Sequence, residues 1–333
     1  LIWRFQDKLS HITYDSLSAQ TFQSSFISAA NVFLVSDGTV AIPWAADPLV
    51  MYYNRDLLQS IGVALPPKNW SDFTQTVGLL AKKKPDLTLT QMAVGLGGYA
   101  NIAHAKDILA LLSMESGSPF ITSDGARVLV RFGATGTAIE DGAVVSAVNF
   151  YMGFSNPLKD VYTWNAGLPL DRDAFVDSSL AYYFGTASEL PVIRKQNPNL
   201  NFGIALPPQQ ATGTPLTTGR LYGFAIPKGA PNPQLSFAAT VLLSSPAAQK
   251  YLVTKLGTEL TLVPIRRDVL SDKPKSDPYL GFLFDAALIQ RAWLDPNPII
   301  SNQIFSTLIR DISSSALDTN QALLKASSQL GAL

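Results

Sequence analysis

The chain has 333 residues, and its 25 basic residues balance its 25 acidic ones, so the formal net charge at pH 7 is zero. This neutrality provides no field that would draw the protein to nucleic acid or to an anionic membrane, and we expect no nucleic-acid partner. The absence of cysteine excludes a disulfide framework and a thiolate metal site, while the length allows about two domains.

The first clear element is an apolar strand over Leu49 to Tyr53, which ends on Asn54-Arg55-Asp56. It follows the turn signal Asp37-Gly38. A short loop, Gly62 to Lys68, leads into a predicted helix with apolar residues at helical spacing. The residues of this face are Trp70, Phe73, Val77 and Leu80. We therefore assign Trp70 to packing.

The middle of the chain alternates helices with strands. Apolar residues at helical spacing predict helices around 102–112 and 143–151, and Asp171 is the expected N-cap of a short helix. The other predicted elements here are strands at 180–184, 201–206 and 221–226 and a helix at 188–196.

The last third of the chain is predicted to be mainly helical. The expected helices after Pro231 are at 233–244, 246–256, 277–292, 300–315 and 318–331. Strands that alternate with helices predict an α/β fold with largely parallel sheets, around which the helical tail packs.

The motifs of enzymes are missing from the sequence. His11 and His104 are the only histidines, neither lies in an H-E-x-x-H context, and we expect His104 on the surface of its helix. Neither a G-x-S-x-G elbow nor a Walker loop is present. Scattered carboxylates leave a two-carboxylate glycosidase open by residue type alone. We predict no enzyme, no metal and no cofactor.

One ordered series of motifs points to a family. A strand with Pro43, Asp47 and Tyr53-Asn54-Arg55-Asp56 precedes a helix that opens with Pro66-Pro67-Lys68-Asn69-Trp70. Further matching segments follow at 97–109, 173–185, 198–207 and 223–230. In this order the chain resembles the extracellular solute-binding proteins of ABC importers, of the carbohydrate type known as family 1.

The resemblance implies a type-II periplasmic-binding-protein fold, with two lobes around a ligand cleft and a multi-crossing hinge. Lobe one would comprise 1–54 and 226–290, and lobe two would comprise 57–222 and 295–333. The chain departs from the family in two respects. The strand–helix–strand unit that normally begins lobe one is not recognised, so we expect lobe one to be incomplete. Ala187 also stands where maltose-binding proteins place an aromatic residue that stacks on sugar.

Sugar binding needs flat aromatic faces with polar groups around them. The candidate ligand-binding residues are Trp44, Asp47, Tyr99, Asn101, Trp164, Arg220, Tyr222 and Trp293. Each has a structural alternative. Asp47 could be a turn residue before Pro48, Asn101 could cap a helix, and Arg220 and Tyr222 could be structural residues beside a hinge. The tryptophans could belong to the core.

The resemblance implies the substrate-binding component of an ABC importer, which captures a sugar or oligosaccharide by hinge closure. Its partners would be a small-molecule solute and the membrane permease subunits. We expect a monomer outside the cytoplasm, periplasmic or lipid-anchored, with the signal segment absent from this sequence. The alternative is an orphan sensor or a surface-interaction module for a non-sugar solute.

Overall fold

The structure is a computed structural model. It describes residues 2–123, 128–130, 134–135, 138–139, 142–256, 261–274 and 277–333. Among the described helices, none combines the length and the apolar character that a membrane span needs.

The α-helices are α1 (Ile2–Phe5), α2 (Ala19–Ser25), α3 (Arg55–Gln59), α4 (Trp70–Leu80), α5 (Ala105–Glu115), α6 (Gly142–Gly153), α7 (Asp171–Val176), α8 (Leu190–Gln196), α9 (Pro233–Leu243), α10 (Pro246–Leu256), α11 (Arg267–Leu270), α12 (Pro278–Ile289), α13 (Pro298–Ser313) and α14 (Thr319–Gly331). Short 3-10 helices cover Gln6–Lys8, Ser28–Phe33 and Ala187–Glu189. The five helices predicted after Pro231 are confirmed as α9, α10, α12, α13 and α14.

Several helices begin at a side chain that accepts a hydrogen bond from the first turn, which satisfies an otherwise unpaired backbone N–H. These N-caps are Ser18, Asn54, Asn69, Asn232, Asp277, Asn297 and Asp318. Asp171 is not one of them, because Leu170 is the N-cap of α7 and Asp171 is already helical.

The β-strands are β1 (Ile12–Thr13), β2 (Leu34–Val35), β3 (Gly38–Thr39), β4 (Ile42–Asn54), β5 (Lys82–Lys83), β6 (Leu89–Val94), β7 (Ile121–Ser123), β8 (Val128–Val130), β9 (Ala134–Thr135), β10 (Ala138–Ile139), β11 (Leu180–Thr186), β12 (Phe202–Ala205), β13 (Gly219–Phe224) and β14 (Val263–Pro264).

The long strand β4 is shared between two sets of partners. Its first part, residues 42–48, pairs with β13 and β14, and we call this group sheet I. Its second part, residues 49–54, pairs with β11 and β12, and β6 and β5 continue that group, which we call sheet II. The chain therefore passes from one sheet to the other between Asp47 and Leu49.

The expectation of largely parallel sheets is wrong for the described strands. β11, β12, β13 and β14 all run antiparallel to β4, and the parallel pair of this sheet is β6 with β11. The reason is that β4 crosses between the sheets, and its neighbours on both sheets run in the opposite direction. The alternation of elements along the sequence does not reveal this direction.

Helices cover sheet II and bury its aromatic core. Trp70 of α4 is only 7% exposed, and Phe73, Val77 and Leu80 are fully buried, so the predicted packing face of α4 is confirmed. The Trp70 ring stacks on Phe184 of β11 with centroids 6.1 Å apart. α5 packs against α6, and α14 packs against both α6 and α13.

Candidate ligand-binding site

Three chain segments meet where β4 leaves sheet I. The Thr217 hydroxyl donates to the Leu49 carbonyl oxygen at 2.6 Å, and the Leu49 N–H donates to the Thr218 carbonyl at 2.8 Å. The third segment joins through Thr217, whose N–H donates to Ile289 O at 3.3 Å and whose carbonyl accepts from Arg291 N at 2.7 Å. Because each bond links backbone to backbone or side chain to backbone, the three segments form one connected unit.

A glycine is required at this junction. Gly219 lies opposite Pro48 in the register of β13 with β4. A Cβ atom on Gly219 would collide with the backbone carbonyl oxygen of Asp47. The two strands can approach this closely only where one of them has no side chain.

A cavity of about 980 Å³ lies beside the junction. This volume is at the upper end of the usual range for small-molecule sites, roughly 300–1,000 Å³. Its wall draws on β13 and the adjacent Thr218, on the loop before α5 and the start of α5, and on the chain from Ala292 into α13. The lining residues are Ile2, Phe33, Tyr99, Ala100, Ile102, Ala103, His104, Ala105, Lys106, Asp107, Leu170, Thr218, Gly219, Arg220, Leu221, Tyr222, Ala292, Trp293, Leu294, Asp295, Pro298, Asn302, Gln303, Ser306, Thr307 and Arg310.

Four of the eight candidate residues are among these. Tyr99, Arg220, Tyr222 and Trp293 all line the cavity, although they are up to 194 positions apart, from 99 to 293 in the chain. The Tyr99 hydroxyl donates to Asn302 Oδ1 at 2.6 Å. Ligand contact by these four stays a prediction, but their convergence on one wall is observed.

Neighbouring side chains already cover part of the Trp293 ring. The Lys106 ammonium nitrogen lies 5.2 Å from its ring centroid, within the range of a cation–π contact. Phe305 meets the same ring edge-on at 5.9 Å. Asp295 accepts a 2.6 Å bond from Lys106, so the ammonium group is neutralised where it lies.

Asn101 and Trp164 lie behind the cavity wall and not on it. Trp164 is fully buried, and its Nε1 donates to Asn101 Oδ1 at 3.1 Å. The Asn101 amide group donates to the backbone oxygens of Asn165 and Leu168 at 2.9 and 3.0 Å. These hydrogen bonds connect the loop that contains Tyr99 and Asn101 to the loop that contains Trp164, Asn165 and Leu168.

Trp44 and Asp47 also lie outside the lining. Asp47 is fully buried and accepts 2.8 Å bonds from both the N–H and the hydroxyl of Ser188. Burial raises the pKa of Asp47 in spite of these bonds, which favour the charged form. Trp44 packs against Tyr222 and Phe224, with ring centroids 6.5 and 5.5 Å away. Both residues therefore support the cavity-lining strand β13.

His104 is buried, so the expectation that it lies on a helix surface is wrong. It is 6% exposed and lines the cavity just before α5. Its Nδ1 lies 3.2 Å from Asp107 Oδ2 and its Nε2 lies 2.9 Å from Glu189 Oε2. Burial alone opposes the charged form, but these two carboxylates outweigh it and raise the pKa of His104 to about 10.

Both ring nitrogens of His104 thus donate to carboxylates, which leaves no lone pair for a metal ion or for proton abstraction. Within the described residues, no group of three His, Asp or Glu side chains is arranged to hold a metal. Neither His104 nor Asp107 was predicted to line the cavity. The i, i+3 spacing of these two at a helix start was a usable signal, whereas Glu189 lies 85 residues away.

Comparisons with known proteins identify the family of the chain and proteins that share its fold. The sequence model of the family described as bacterial extracellular solute-binding protein matches residues 11–250. A putative binding protein of Brucella abortus (strain 2308) is 27% identical over 213 residues, which are 62% of this chain and 46% of the relative. A probable ABC transporter-binding protein of Deinococcus radiodurans is 22% identical over 275 residues, 81% of this chain and 62% of the relative.

The chain thus spans about half the length of the first of these relatives and under two thirds of the second. Among solved structures, CpMnBP1 with mannotriose bound superposes with a TM-score of 0.73 at 18% identity. The match covers 99% of this chain and 82% of that one. At this identity the likeness shows a shared fold, and the fold is that of a two-lobed binding protein.

Proposed function

The chain belongs to the family of bacterial extracellular solute-binding proteins, and from that premise we propose that it is the extracytoplasmic substrate-binding component of an ABC importer. The family is defined by binding and not by catalysis. The single observation that carries the proposal is the cavity of about 980 Å³ at the junction of three chain crossings. A ligand there touches elements on both sides of a hinge.

The ligand we propose is a sugar or a short oligosaccharide. The cavity wall combines the aromatic rings of Tyr99, Tyr222 and Trp293 with amide and hydroxyl groups of α13. This combination suits a sugar ring, which has an apolar face and a polar rim. The mannotriose-bound CpMnBP1, which has the same fold, supports the same class.

The proposed mechanism is closure of two lobes about the three crossings. We place these crossings at 47–49, 217–219 and 289–291. The pairing of β4 changes from sheet I to sheet II at the first of them, and Thr217 in the second bonds to both other segments. These positions lie a few residues before the hinge positions that the resemblance implies, which are 54–56, 222–225 and 293–297. A ligand stabilises the closed form only by its higher affinity for that form. The closed monomer would then dock on the permease subunits.

The alternative is a sensor or surface-interaction module for a non-sugar solute, and two observations favour it. Ala187 is fully buried at the start of a 3-10 helix, so no aromatic ring projects from this position. Lys106 also sits over the ring of Trp293. Both reduce the aromatic surface that is open to a sugar.

A thermal-shift screen separates the two proposals. The panel consists of mono- to tetrasaccharides, amino acids, short peptides and polyamines. A ligand at 100 times its dissociation constant adds about 2.7 kcal/mol to the free energy of unfolding. We expect saccharides to raise the melting temperature. A shift with another solute class and none with saccharides would overturn the sugar proposal.

A further inference from the structure

Two oppositely charged side chains line the cavity from two different elements. Arg220 belongs to β13 in sheet I, where it pairs in register with Asp47 of β4. Asp107 belongs to the first turn of α5, which packs with α6 on the side of sheet II. Both residues line the cavity.

The two side chains attract each other but do not touch. Burial opposes the charged form of Arg220, but Asp107, Asp47 and Tyr222 together outweigh burial and raise the pKa of Arg220, and Asp107 contributes most among these three. The attraction is mutual, since Arg220 also helps to lower the pKa of Asp107. Among the described residues, no ion pair within 4.0 Å joins them. A gap therefore separates a hydrogen-bond donor from a hydrogen-bond acceptor.

Contacts with the rest of the protein hold Asp107 and Arg220 in position. Asp107 uses Oδ2 to accept from His104 Nδ1 at 3.2 Å, and its side chain keeps 22% exposure. His104 is itself fixed by Glu189, so the carboxylate is oriented by a rigid ring. Arg220 is held by the pairing of β13 with β4, and Gln290 Nε2 donates to its carbonyl oxygen at 3.2 Å. The Asp107 carboxylate and the backbone of Arg220 are therefore held in place without the ligand.

The other charged groups of the wall are already engaged. Lys106 donates to Asp295 at 2.6 Å and to the Ser301 hydroxyl at 3.1 Å. Arg310 lies 3.6 Å from Asp311, which also binds Lys325 at 2.7 Å. Among the described residues, Arg220 interacts with Tyr222 but has no ion pair within 4.0 Å, and Asp107 uses only Oδ2, so this pair keeps hydrogen-bonding capacity toward the cavity.

We infer that Arg220 and Asp107 bind the ligand from opposite sides of the cleft, and that they recognise a pair of adjacent hydroxyls on an uncharged saccharide. This inference rests on the proposed function. One hydroxyl donates to the free carboxylate oxygen of Asp107, while its neighbour accepts from the guanidinium group of Arg220. The ligand completes the bridge that the two side chains leave open.

The pair of Arg220 and Asp107 also disfavours charged ligands. The carboxylate of a uronic acid is attracted by Arg220 but repelled by Asp107. The ammonium group of an amino sugar is attracted by Asp107 but repelled by Arg220. A hydroxyl both donates and accepts, so it fits either side chain without leaving a buried charge unpaired. The cleft should therefore prefer neutral sugars over their charged analogues.

Titration calorimetry with a fixed panel tests this inference. The probes are glucose, mannose, maltose, mannobiose and mannotriose, together with glucuronate and glucosamine. The proteins are the wild type, Arg220→Gln, Asp107→Asn and the double variant. Removal of a hydrogen bond to a charged group should weaken the best neutral probe about 10- to 100-fold in each single variant. The double variant should lose little more than either single one, because one bridge is broken in all three.

The matched control is Arg266→Gln, which removes a cation that lies outside the cavity lining and already pairs with Asp268 at 2.9 Å. It should stay within about threefold of the wild type. Circular dichroism and melting temperatures check that each variant is folded. If no saccharide binds the wild type, the proposed function fails. If a saccharide binds but the two single variants match the control, or glucuronate binds more tightly than glucose, this inference fails alone.

Discussion

The hydroxyl of Thr217 donates a 2.6 Å hydrogen bond to the carbonyl oxygen of Leu49, at the point where β4 passes from sheet I to sheet II. Both residues are fully buried. Their bond joins two proposed hinge segments that are 168 residues apart in the chain. A side chain thus holds the crossing in addition to the backbone bonds.

Replacement of Thr217 by valine tests the importance of this bond, because valine keeps the shape and removes the hydroxyl. We expect a loss of about 1–3 kcal/mol in the free energy of unfolding, measured by denaturant titration. Thr218→Val is the control, since Thr218 is equally buried and no side-chain hydrogen bond of its own is found among the described residues. Equal losses in both variants would contradict a specific role for the Thr217 hydroxyl.

Asp47 and Ser188 offer a second test at the same crossing. Asp47→Ala leaves the buried N–H of Ser188 without its 2.8 Å acceptor, and we expect a loss of about 1–3 kcal/mol. Asp47→Asn keeps one acceptor oxygen, and its amide group can donate to the Ser188 hydroxyl, so it should lose clearly less. Chemical unfolding of both variants gives the comparison. An Asn variant as unstable as the Ala variant would show that the negative charge itself is needed.

Local pattern was sufficient to predict most helices and the packing face of α4. Trp70 and Phe73 lie one turn apart, and such spacing is set by helix geometry alone. The crossing strand was predicted at 49–53, but β4 extends back to Ile42. Pro43 and Pro48 conceal this extension, because proline argues against a central strand.

The cavity wall was only half predictable for a related reason. Tyr222 and Trp293 follow elements whose order the resemblance supplies, so their convergence could be expected. Trp164 has the same loop context in the sequence, yet it is fully buried. The burial of His104 depends on Glu189, a partner 85 residues away that no spacing rule connects to it. The sequence pattern cannot reveal such electrostatic pairing between residues that are far apart in the chain.

Glu115 should make the stability of the protein depend on pH. Burial raises the pKa of this carboxyl group to about 8, although Trp70 Nε1 donates to its Oε2 at 2.5 Å. A raised pKa in the folded state means that the folded protein binds the extra proton. Stability is therefore full below about pH 4.5, the ordinary range of glutamate, and falls as pH rises toward 8.

The substitution Glu115→Gln removes this titration and keeps an acceptor for Trp70. We expect the variant to have a higher melting temperature than the wild type at pH 8 to 9 and a smaller advantage at pH 5. Calorimetry across this range measures both. Asp160→Asn, which neutralises an exposed acid, is the control and should change neither value appreciably. A constant difference at all pH values would contradict the role of Glu115 ionisation.

His104 should add a second pH dependence, at higher pH. Its pKa is raised to about 10 because Asp107 and Glu189 stabilise the imidazolium against the cost of burial. The contribution is fully present below about pH 6.5, the ordinary value for histidine, and is lost as pH rises from there to about 10. The free energy of unfolding should fall in this window by up to about 1.4 kcal/mol per pH unit.

The substitution His104→Gln removes this slope, because glutamine carries no titrating charge and leaves two partly buried carboxylates without their shared cation. The variant should be less stable than the wild type at pH 7, and the difference should shrink toward pH 10. Denaturant unfolding at pH 6, 7, 8, 9 and 10 measures this convergence. His11→Gln is the control, since that ring pairs with Asp37 at the surface and such pairs contribute little. Parallel stability curves for wild type and His104→Gln would mean that the imidazole acts by packing and not by charge.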